Sequence, residues 1–275
     1  MRAAALAILL ALLTLPAALA EPPDLSDPDA ERIISELFIP PAQISEEWWR
    51  EYRERMALVE EAPERFAPIL RERLMRRLPT TLDEYRVGDP QWAINEPHAG
   101  DPNPPAGSLL RIVSYLPLAH AEPILQEYFE RINPLALEAT RRHWEAKEAA
   151  LATGRHTSDD WVRTLEVYRA ITGARSSATN LAKTLGSGVF YDDYVAMLTS
   201  DDPIAQATGA AYTRGNLDAI LAWRPDALPE ILEATTRLSA SDQPRVAEAG
   251  RALMEAVRKS LQSPARDNTR ADPPR

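Results

Sequence analysis

The sequence has no cysteine among its 275 residues. This absence excludes disulfides, thiolate metal sites and lipid attachment at a cysteine. Glycine is scarce, with 10 residues, and neither the alternating apolar pattern of strands nor the residue pairs of tight hairpins occur. Ala, Leu, Glu and Arg, which favour helices, dominate instead. The sequence therefore predicts an all-α protein.

Motifs of catalysis are lacking as well. The four histidines, His98, His120, His143 and His156, do not form a His-Glu-x-x-His motif. There is no Gly-x-Ser-x-Gly elbow, P-loop or dinucleotide fingerprint. We therefore predict no metal site and no cofactor. These absences favour a non-enzymatic role and leave the question of enzymatic activity open.

Basic residues are outnumbered by acidic ones, 31 to 41, which gives a formal net charge of −10. An acidic protein repels phosphate backbones and anionic membrane surfaces. This charge excludes nucleic acid as a favoured partner. A protein or a peptide is the partner that the sequence predicts.

The N-terminal residues have the pattern of a secretory signal peptide. Arg2 is a minimal positive region, residues 3–15 are apolar, and Ala18-Leu19-Ala20 is a small-residue cleavage site. We therefore expect residues 1–20 to be removed and the protein to be periplasmic or secreted. The alternative is that the segment is retained as a membrane anchor. After cleavage no stable membrane span is expected.

The remaining chain divides into four sections by composition. We predict an N-terminal helical section at 21–87, a proline-rich loop at 88–107, a helical array at 108–262 and a disordered tail at 263–275. In the first section Trp48, Tyr52, Met56 and Val59 follow one helical stripe. This stripe is typical of core packing, and the alternative is an aromatic ligand platform.

The proline-rich loop is long for a connection inside a compact domain, and such loops are often functional. Its candidate binding residues are Trp92, His98 and Asp101. The alternative interpretation is a linker or a strap across the helices, since proline also stiffens linkers.

Proline and glycine predict where the helices of the array end. We expect a turn at Asn133-Pro134 and helix ends at Gly154, Gly173 and Gly186. The first helix is expected from about residue 108, and the last at Val246 to Leu261.

A short pattern recurs in the second half of the chain. Ser-Asp-x-Pro ends at Pro203 and again, 41 residues later, at Pro244, and a glycine follows each proline at the same distance, Gly209 and Gly250. Ser or Asp caps a helix, and Pro is tolerated in its first turn. The glycines, with the alanines two residues later, are expected to allow close helix packing. Another block, Thr157 to Asp160, repeats Thr199 to Asp202.

This arrangement resembles the HEAT repeat, in which a similar turn introduces the second helix of each pair. The resemblance is clearest over residues 190–261 and weaker back to Ser108. It implies antiparallel helix pairs stacked as a short HEAT-like α-solenoid. Two departures from the pattern are Ile204, where the repeat favours Arg, and Trp161, where Pro is expected. The alternative is that Ser-Asp is common capping chemistry in any helical protein.

Tyr191, Asp192, Asp193 and Tyr194 form a further candidate binding site. Two carboxylates between aromatic rings are suited to hold a sugar or a cation. The alternative interpretation is the start of a helix with buried aromatic residues.

Two functions remain open at this point. The first is an exported, non-enzymatic protein-interaction or scaffold module of the bacterial cell envelope, since stacked helix pairs present extended surfaces to proteins. The alternative is a protein that binds cell-wall glycan, or a glycan hydrolase with converging carboxylates. Some lytic transglycosylases carry a helical superhelix, but no Glu here lies in a recognisable Glu-Ser motif.

Overall fold

The computed structural model describes residues 26–37, 45–86, 105–154 and 158–262. Every regular element in these ranges is helical, and they contain no strand. The fold is therefore all-α, as predicted. The helices are α1 (Asp27–Glu36), α2 (Glu46–Glu61), α3 (Pro63–Arg76), α4 (Ala106–Val113), α5 (Leu118–Ala152), α6 (Asp159–Leu185), α7 (Val189–Thr199), α8 (Pro203–Trp223), a 3-10 turn (Pro225–Ala227), α9 (Leu228–Ser239) and α10 (Pro244–Gln262).

Capping residues set the starts of several helices as the sequence predicts. The Ser45 hydroxyl accepts a hydrogen bond from the Trp48 N–H at the start of α2. Ser158 does the same for Trp161 at the start of α6. Each bond satisfies a donor that the first turn of a helix leaves free.

One apolar core connects the N-terminal helices to the last ones. It extends from Ala30 in α1 to Val257 in α10. Helix α3 packs against α1, α4 and α5, so it joins the N-terminal helices to the long helix that follows them. None of the helices in the described ranges has both the length and the apolar character needed to cross a membrane.

The predicted turn at Asn133-Pro134 is wrong, because α5 continues through it for 35 residues in total. Proline within a helix removes one backbone hydrogen bond. Here packing against α6 compensates for that loss, and Ile132 and Leu135 on either side are buried. The side-chain oxygen of Asn133 does not cap a new helix. It accepts a hydrogen bond from the Arg175 Nε of α6.

The predicted helix end at Gly173 is also wrong, while those at Gly154 and Gly186 are confirmed. Gly154 and Gly186 have φ values of 70° and 71°, and no other residue of the described ranges has a positive φ. At the end of α6 the Ser187 N–H donates to the Ala182 carbonyl, which completes a Schellman motif. Gly173 continues the helix, because its backbone is right-handed.

The last four long helices form two consecutive pairs, α7 with α8 and α9 with α10. The second helices of the pairs, α8 and α10, also pack against each other, so the pairs are stacked. The Asp202 carboxylate accepts from the Ile204 N–H at 2.9 Å, as a cap of α8. Ser200 and Ser241, which are 41 residues apart, each accept from the N–H two residues later.

Gly209 and Gly250 contact the first helix of their own pair, as the close-packing prediction requires. The alanines two residues later do not take part in that contact. Ala211 is exposed and Ala252 half-buried. Of the block that repeats Thr199 to Asp202, Thr157 lies outside the described residues. Ser158 to Asp160 begin a different unit, because α6 has 27 residues and pairs with the longer α5.

Candidate functional site

Three of the predicted binding residues, Trp92, His98 and Asp101, lie outside the described residues. The other four, from Tyr191 to Tyr194, occupy the first turns of α7. A helix turns by about 100° per residue, so four consecutive side chains point in different directions.

The side chains of Tyr191, Asp192 and Tyr194 do not form a common site. Tyr191 is buried and its hydroxyl donates to Glu230 at 3.1 Å. Tyr194 is also buried, and its hydroxyl pairs with that of Thr179. Asp192 faces solvent. The tyrosines are therefore part of the packing between α7 and its neighbours.

A buried arginine organises the interior beside α7. The Arg175 side chain is 1% exposed, and its guanidinium lies 4.0 Å from the centre of the Tyr212 ring and 4.9 Å from that of Tyr194. Its Nε donates to Asn133. Aromatic faces attract a cation, more strongly where water is excluded. These residues, with Asp193, are named the Arg175 cluster below.

Asp193 is a carboxylate with a raised pKa, a property that catalytic acids often have. Burial raises its pKa, while a side-chain hydrogen bond from Asn133 and the charge of Arg175 offset part of this effect. One of its oxygens is buried without a hydrogen-bond partner. Since Asp192 points to solvent, the two carboxylates do not converge on one site.

A surface groove lies where α5 and α6 meet the two stacked helices α8 and α10. It has a volume of about 410 Å³. We name it the α8–α10 groove, and its characteristic residues are Trp144, Lys147, Tyr212, Arg214, Arg245 and Glu248.

Each helix contributes residues to the α8–α10 groove at helical spacing. Thr140, Trp144 and Lys147 lie at i, i+4 and i+7 on α5. On α8 and α10 the same spacing brings small residues into the groove, Ala207 and Ala211 from the first helix and Ala249 and Ala252 from the second. The small side chains leave the space between the two helices open.

Aromatic rings form the walls of the groove. The Arg245 guanidinium lies 4.5 Å from the centre of the Trp144 ring. Tyr168, also in the wall, stacks on His143 with 5.1 Å between ring centres. Burial, together with the charges of Lys147 and Arg169, lowers the pKa of His143. The neutral imidazole is therefore the form that supports this wall.

The groove carries a local excess of positive charge. Lys147, Arg214 and Arg245 line it, against Glu248. Arg245 also forms an ion pair with Glu148. Lys147 and Arg214 are exposed and make no ion pair within the described ranges. Two cations without an ion pair among the described residues thus line the same groove as aromatic residues, in a protein whose net charge is −10.

A second groove, of about 990 Å³, lies between residues 82–86, α5 and α6. Its charges largely compensate each other. Arg142 in its wall pairs with Asp83 at 2.6 Å and with Glu138 at 2.8 Å. Four carboxylates and three arginines line it, so it presents no excess of cations.

The aromatic stripe of α2 is buried only at its C-terminal half. Met56 and Val59 belong to the core, as core packing predicts. Trp48 is half-buried and stacks on Tyr52 at 5.3 Å, while Trp49 beside it is 45% exposed. The N-terminal half therefore presents aromatic surface to solvent.

The α8–α10 groove has almost no signature in the sequence. Its residues come from four helices, and only Ala211 and Ala252, which follow the repeated glycines, belong to a recurring pattern. A search for cations at i and i+4 from an aromatic residue finds none of its contacts, because Arg245 and Trp144 are a hundred residues apart. In the described ranges no group of three or more His, Asp or Glu side chains is placed to hold a metal ion.

No protein-family model matches the sequence, and neither a curated protein nor a solved structure gives a significant match to the chain. The function is therefore argued from the helix pairs and the groove that they form.

Proposed function

We propose that this protein is an exported, non-enzymatic protein-interaction module of the bacterial cell envelope, and that the α8–α10 groove is its binding surface. The observation that carries the proposal is the pair of free cations, Lys147 and Arg214, beside the aromatic walls of this groove. Arg and aromatic residues, which line this groove, are enriched at protein interfaces.

The fold supports a role in binding. Stacked helix pairs of similar sequence place equivalent faces side by side, and the resulting surface is extended rather than enclosed. Here α8 and α10 are the equivalent helices, and the groove lies against both. The resemblance to HEAT repeats at the repeated Ser-Asp-x-Pro is part of this proposal.

Export is supported by sequence features alone. Residues 1–20 have the order of a signal peptide, and the absence of cysteine is compatible with an oxidising compartment. Cleavage after Ala20 would leave the mature chain to act in the periplasm or outside the cell. N-terminal sequencing of the exported protein tests this part directly, and Glu21 is the expected first residue.

The alternative function, binding of cell-wall glycan, is supported by a different surface. Trp48, Trp49 and Tyr52 form an aromatic cluster in which Trp49 is 45% exposed and the other two are half-buried. Aromatic ring faces can stack on sugar rings. Sedimentation with purified cell wall distinguishes this alternative, since Trp49→Ala would then release the protein while a groove variant would not.

The main experiment is an affinity capture from detergent-solubilised envelope extract with three tagged proteins. They are the mature chain, the groove variant Lys147→Glu/Arg214→Glu, and the control variant Arg251→Glu/Arg258→Glu. The control arginines are exposed on α10 outside the groove, and the change in charge is the same. We expect the same few saturable partners with the first and third proteins and their loss with the groove variant. No partner above background with the mature chain would refute the proposal.

A further inference from the structure

We infer that the α8–α10 groove binds an extended acidic peptide segment of a partner protein, with two carboxylates about 15 Å apart. This inference rests on the proposed function and specifies its ligand class. It follows from three features, which are the direction of the two helices, the position of the cations and the shape of the space between them.

Helices α8 and α10 run in the same direction. The groove joins residues 207–214 of α8 to residues 245–252 of α10. Further along, Asp218 of α8 accepts from the Ser260 hydroxyl of α10 at 3.4 Å. Residue numbers thus increase together along both helices, as expected for the equivalent helices of successive pairs.

This direction places the cations of α8 and α10 toward opposite ends of the groove. Arg245 is equivalent to Ile204, which lies 41 residues earlier. Arg214 is ten residues beyond Ile204, and a helix rises by 1.5 Å per residue. The backbones of Arg214 and Arg245 are therefore about 15 Å apart along the helix axes. An extended peptide spans this distance with about four to five residues.

The space between the arginines suits a peptide backbone. Ala207, Ala211, Ala249 and Ala252 leave it open, and the Trp144 and Tyr212 side chains line it beside these alanines. Lys147 on α5 adds a third positive charge to the groove. A segment with apolar or Thr-like residues between two acidic ones fits this arrangement.

The charges also discriminate against dense polyanions. Glu248 lines the groove next to Ala249 of α10, and Glu148 is paired with Arg245. A ligand with a negative charge at every position would meet these carboxylates. A ligand with two separated carboxylates places one on Arg214, shares Arg245 with Glu148 through the other, and avoids Glu248.

The test is a titration of the full mature chain with labelled peptides, read by fluorescence anisotropy. The first peptide is acetyl-Ser-Glu-Val-Thr-Val-Glu-Ser-amide, and the second has Gln in place of both Glu residues. Poly-glutamate is the third probe. We expect the Glu peptide to bind about tenfold more tightly than the Gln peptide, and to lose affinity between roughly 50 and 300 mM salt.

The two double variants provide the matched comparison. Lys147→Glu/Arg214→Glu is expected to weaken the Glu peptide by about tenfold or more, and Arg251→Glu/Arg258→Glu to leave it within about twofold. All four side chains are exposed, so we expect both variants to fold. Circular dichroism checks this.

Failure of this inference is distinguishable from failure of the proposed function. Any of four results would overturn the inference. They are equal affinity for the Glu and Gln peptides, equal affinity of the groove variant and the mature chain for the Glu peptide, tighter binding of poly-glutamate than of the Glu peptide, and no binding of the Glu peptide at about 1 mM. If the envelope capture nevertheless shows partners that depend on Lys147 and Arg214, the interaction module stands with a different ligand. If the capture is also empty, both are refuted.

Discussion

Gly209 and Gly250 lie 41 residues apart, and each packs directly on the backbone at the end of the preceding helix. Gly209 faces Met197 and Leu198 at the end of α7. Gly250 faces Leu238 and Ser239 at the end of α9, and these residues are again 41 positions later. The two helix pairs therefore share one packing geometry, which is compatible with a helical repeat.

The first prediction concerns these two glycines. A Cβ at residue 209 would lie 2.7 Å from the Met197 Cβ, and one at residue 250 would lie 2.5 Å from the Ser239 backbone nitrogen. Because the backbone cannot move without separating the helices, Gly209→Ala and Gly250→Ala should each lower the free energy of unfolding by about 1–3 kcal/mol. Urea denaturation measures the change.

Gly215→Ala is the matched control for that prediction. Gly215 lies on α8 as Gly209 does, but nothing is within 4 Å of the position of its Cβ. Alanine is a better helix former, so this variant should gain up to about 1 kcal/mol. Equal losses in all three variants would contradict the close-packing interpretation.

The second prediction concerns the buried charge of the Arg175 cluster. Arg175→Met removes the guanidinium from between the Tyr194 and Tyr212 rings and leaves the Asn133 oxygen and Asp193 without their cationic neighbour. Uncompensated buried polar groups are costly, so we expect a loss of roughly 3 kcal/mol in urea denaturation.

The double variant Arg175→Met/Asp193→Asn should recover part of this loss, because it removes the carboxylate charge that Arg175 faces. Arg258→Met, at an exposed position, should change the free energy of unfolding by less than about 0.5 kcal/mol. A double variant less stable than Arg175→Met would show that Asp193 contributes through another contact.

The third prediction is a pH dependence at Asp193. Burial raises its pKa above the ordinary value of 3.8, so the folded state favours the protonated form. The contribution of protonated Asp193 to stability is complete below pH 3.8 and is lost as the pH rises through the pKa of the folded state. Asp193→Asn should therefore raise the melting temperature at about pH 7 and have a smaller effect at about pH 4.

The neighbouring Asp192→Asn provides the comparison, since this carboxylate faces solvent. Thermal unfolding followed by circular dichroism should show little difference from the wild-type protein at either pH. If Asp193→Asn lowers the melting temperature at neutral pH, attraction to Arg175 outweighs the cost of burial.

The fourth prediction concerns His143 behind the groove wall. Burial and the charges of Lys147 and Arg169 lower its pKa from 6.5, and its Nδ1 has no hydrogen-bond partner. The folded state disfavours the imidazolium. The contribution of neutral His143 to stability is therefore complete above pH 6.5 and is lost as the pH falls from there through the lower pKa of the folded state. His143→Gln should remove this part of the acid sensitivity in urea denaturation.

Nuclear magnetic resonance titration gives a second measurement of His143. The variant Lys147→Glu should raise the pKa of His143, because it replaces a nearby positive charge with a negative one. Arg251→Glu, on the far side of α10, should not change it. An unchanged pKa in both variants would mean that burial alone sets the value.

Local chemistry made the helical character, the capping residues and two of the helix ends predictable. Ser45, Ser158 and Asp202 cap because their oxygens reach the free N–H groups of the next turn. Gly154 and Gly186 end helices because they adopt positive φ. Such preferences depend on neighbours within a few residues.

The errors at Asn133-Pro134 and Gly173 have the opposite cause. Both signals oppose a helix, but the free-energy cost of each is limited and the packing of α5 against α6 exceeds it. Asn133 is also held by Arg175, 42 residues away. A contact of that kind has no local signature.

The sequence by itself determined that the chain is helical, where most helices begin, and that one unit of about 41 residues recurs with a glycine at its helix contact. These properties follow from the backbone preferences of single residues and from the recurrence of Ser-Asp-x-Pro with the glycine six residues after it. Only the tertiary structure decided that α5 and α6 are each uninterrupted and that Arg175 is buried among aromatic rings. It also decided that Lys147, Arg214 and Arg245 line one groove. The physical reason is that packing energies between distant segments outweigh local preferences and bring together side chains that sequence spacing does not connect.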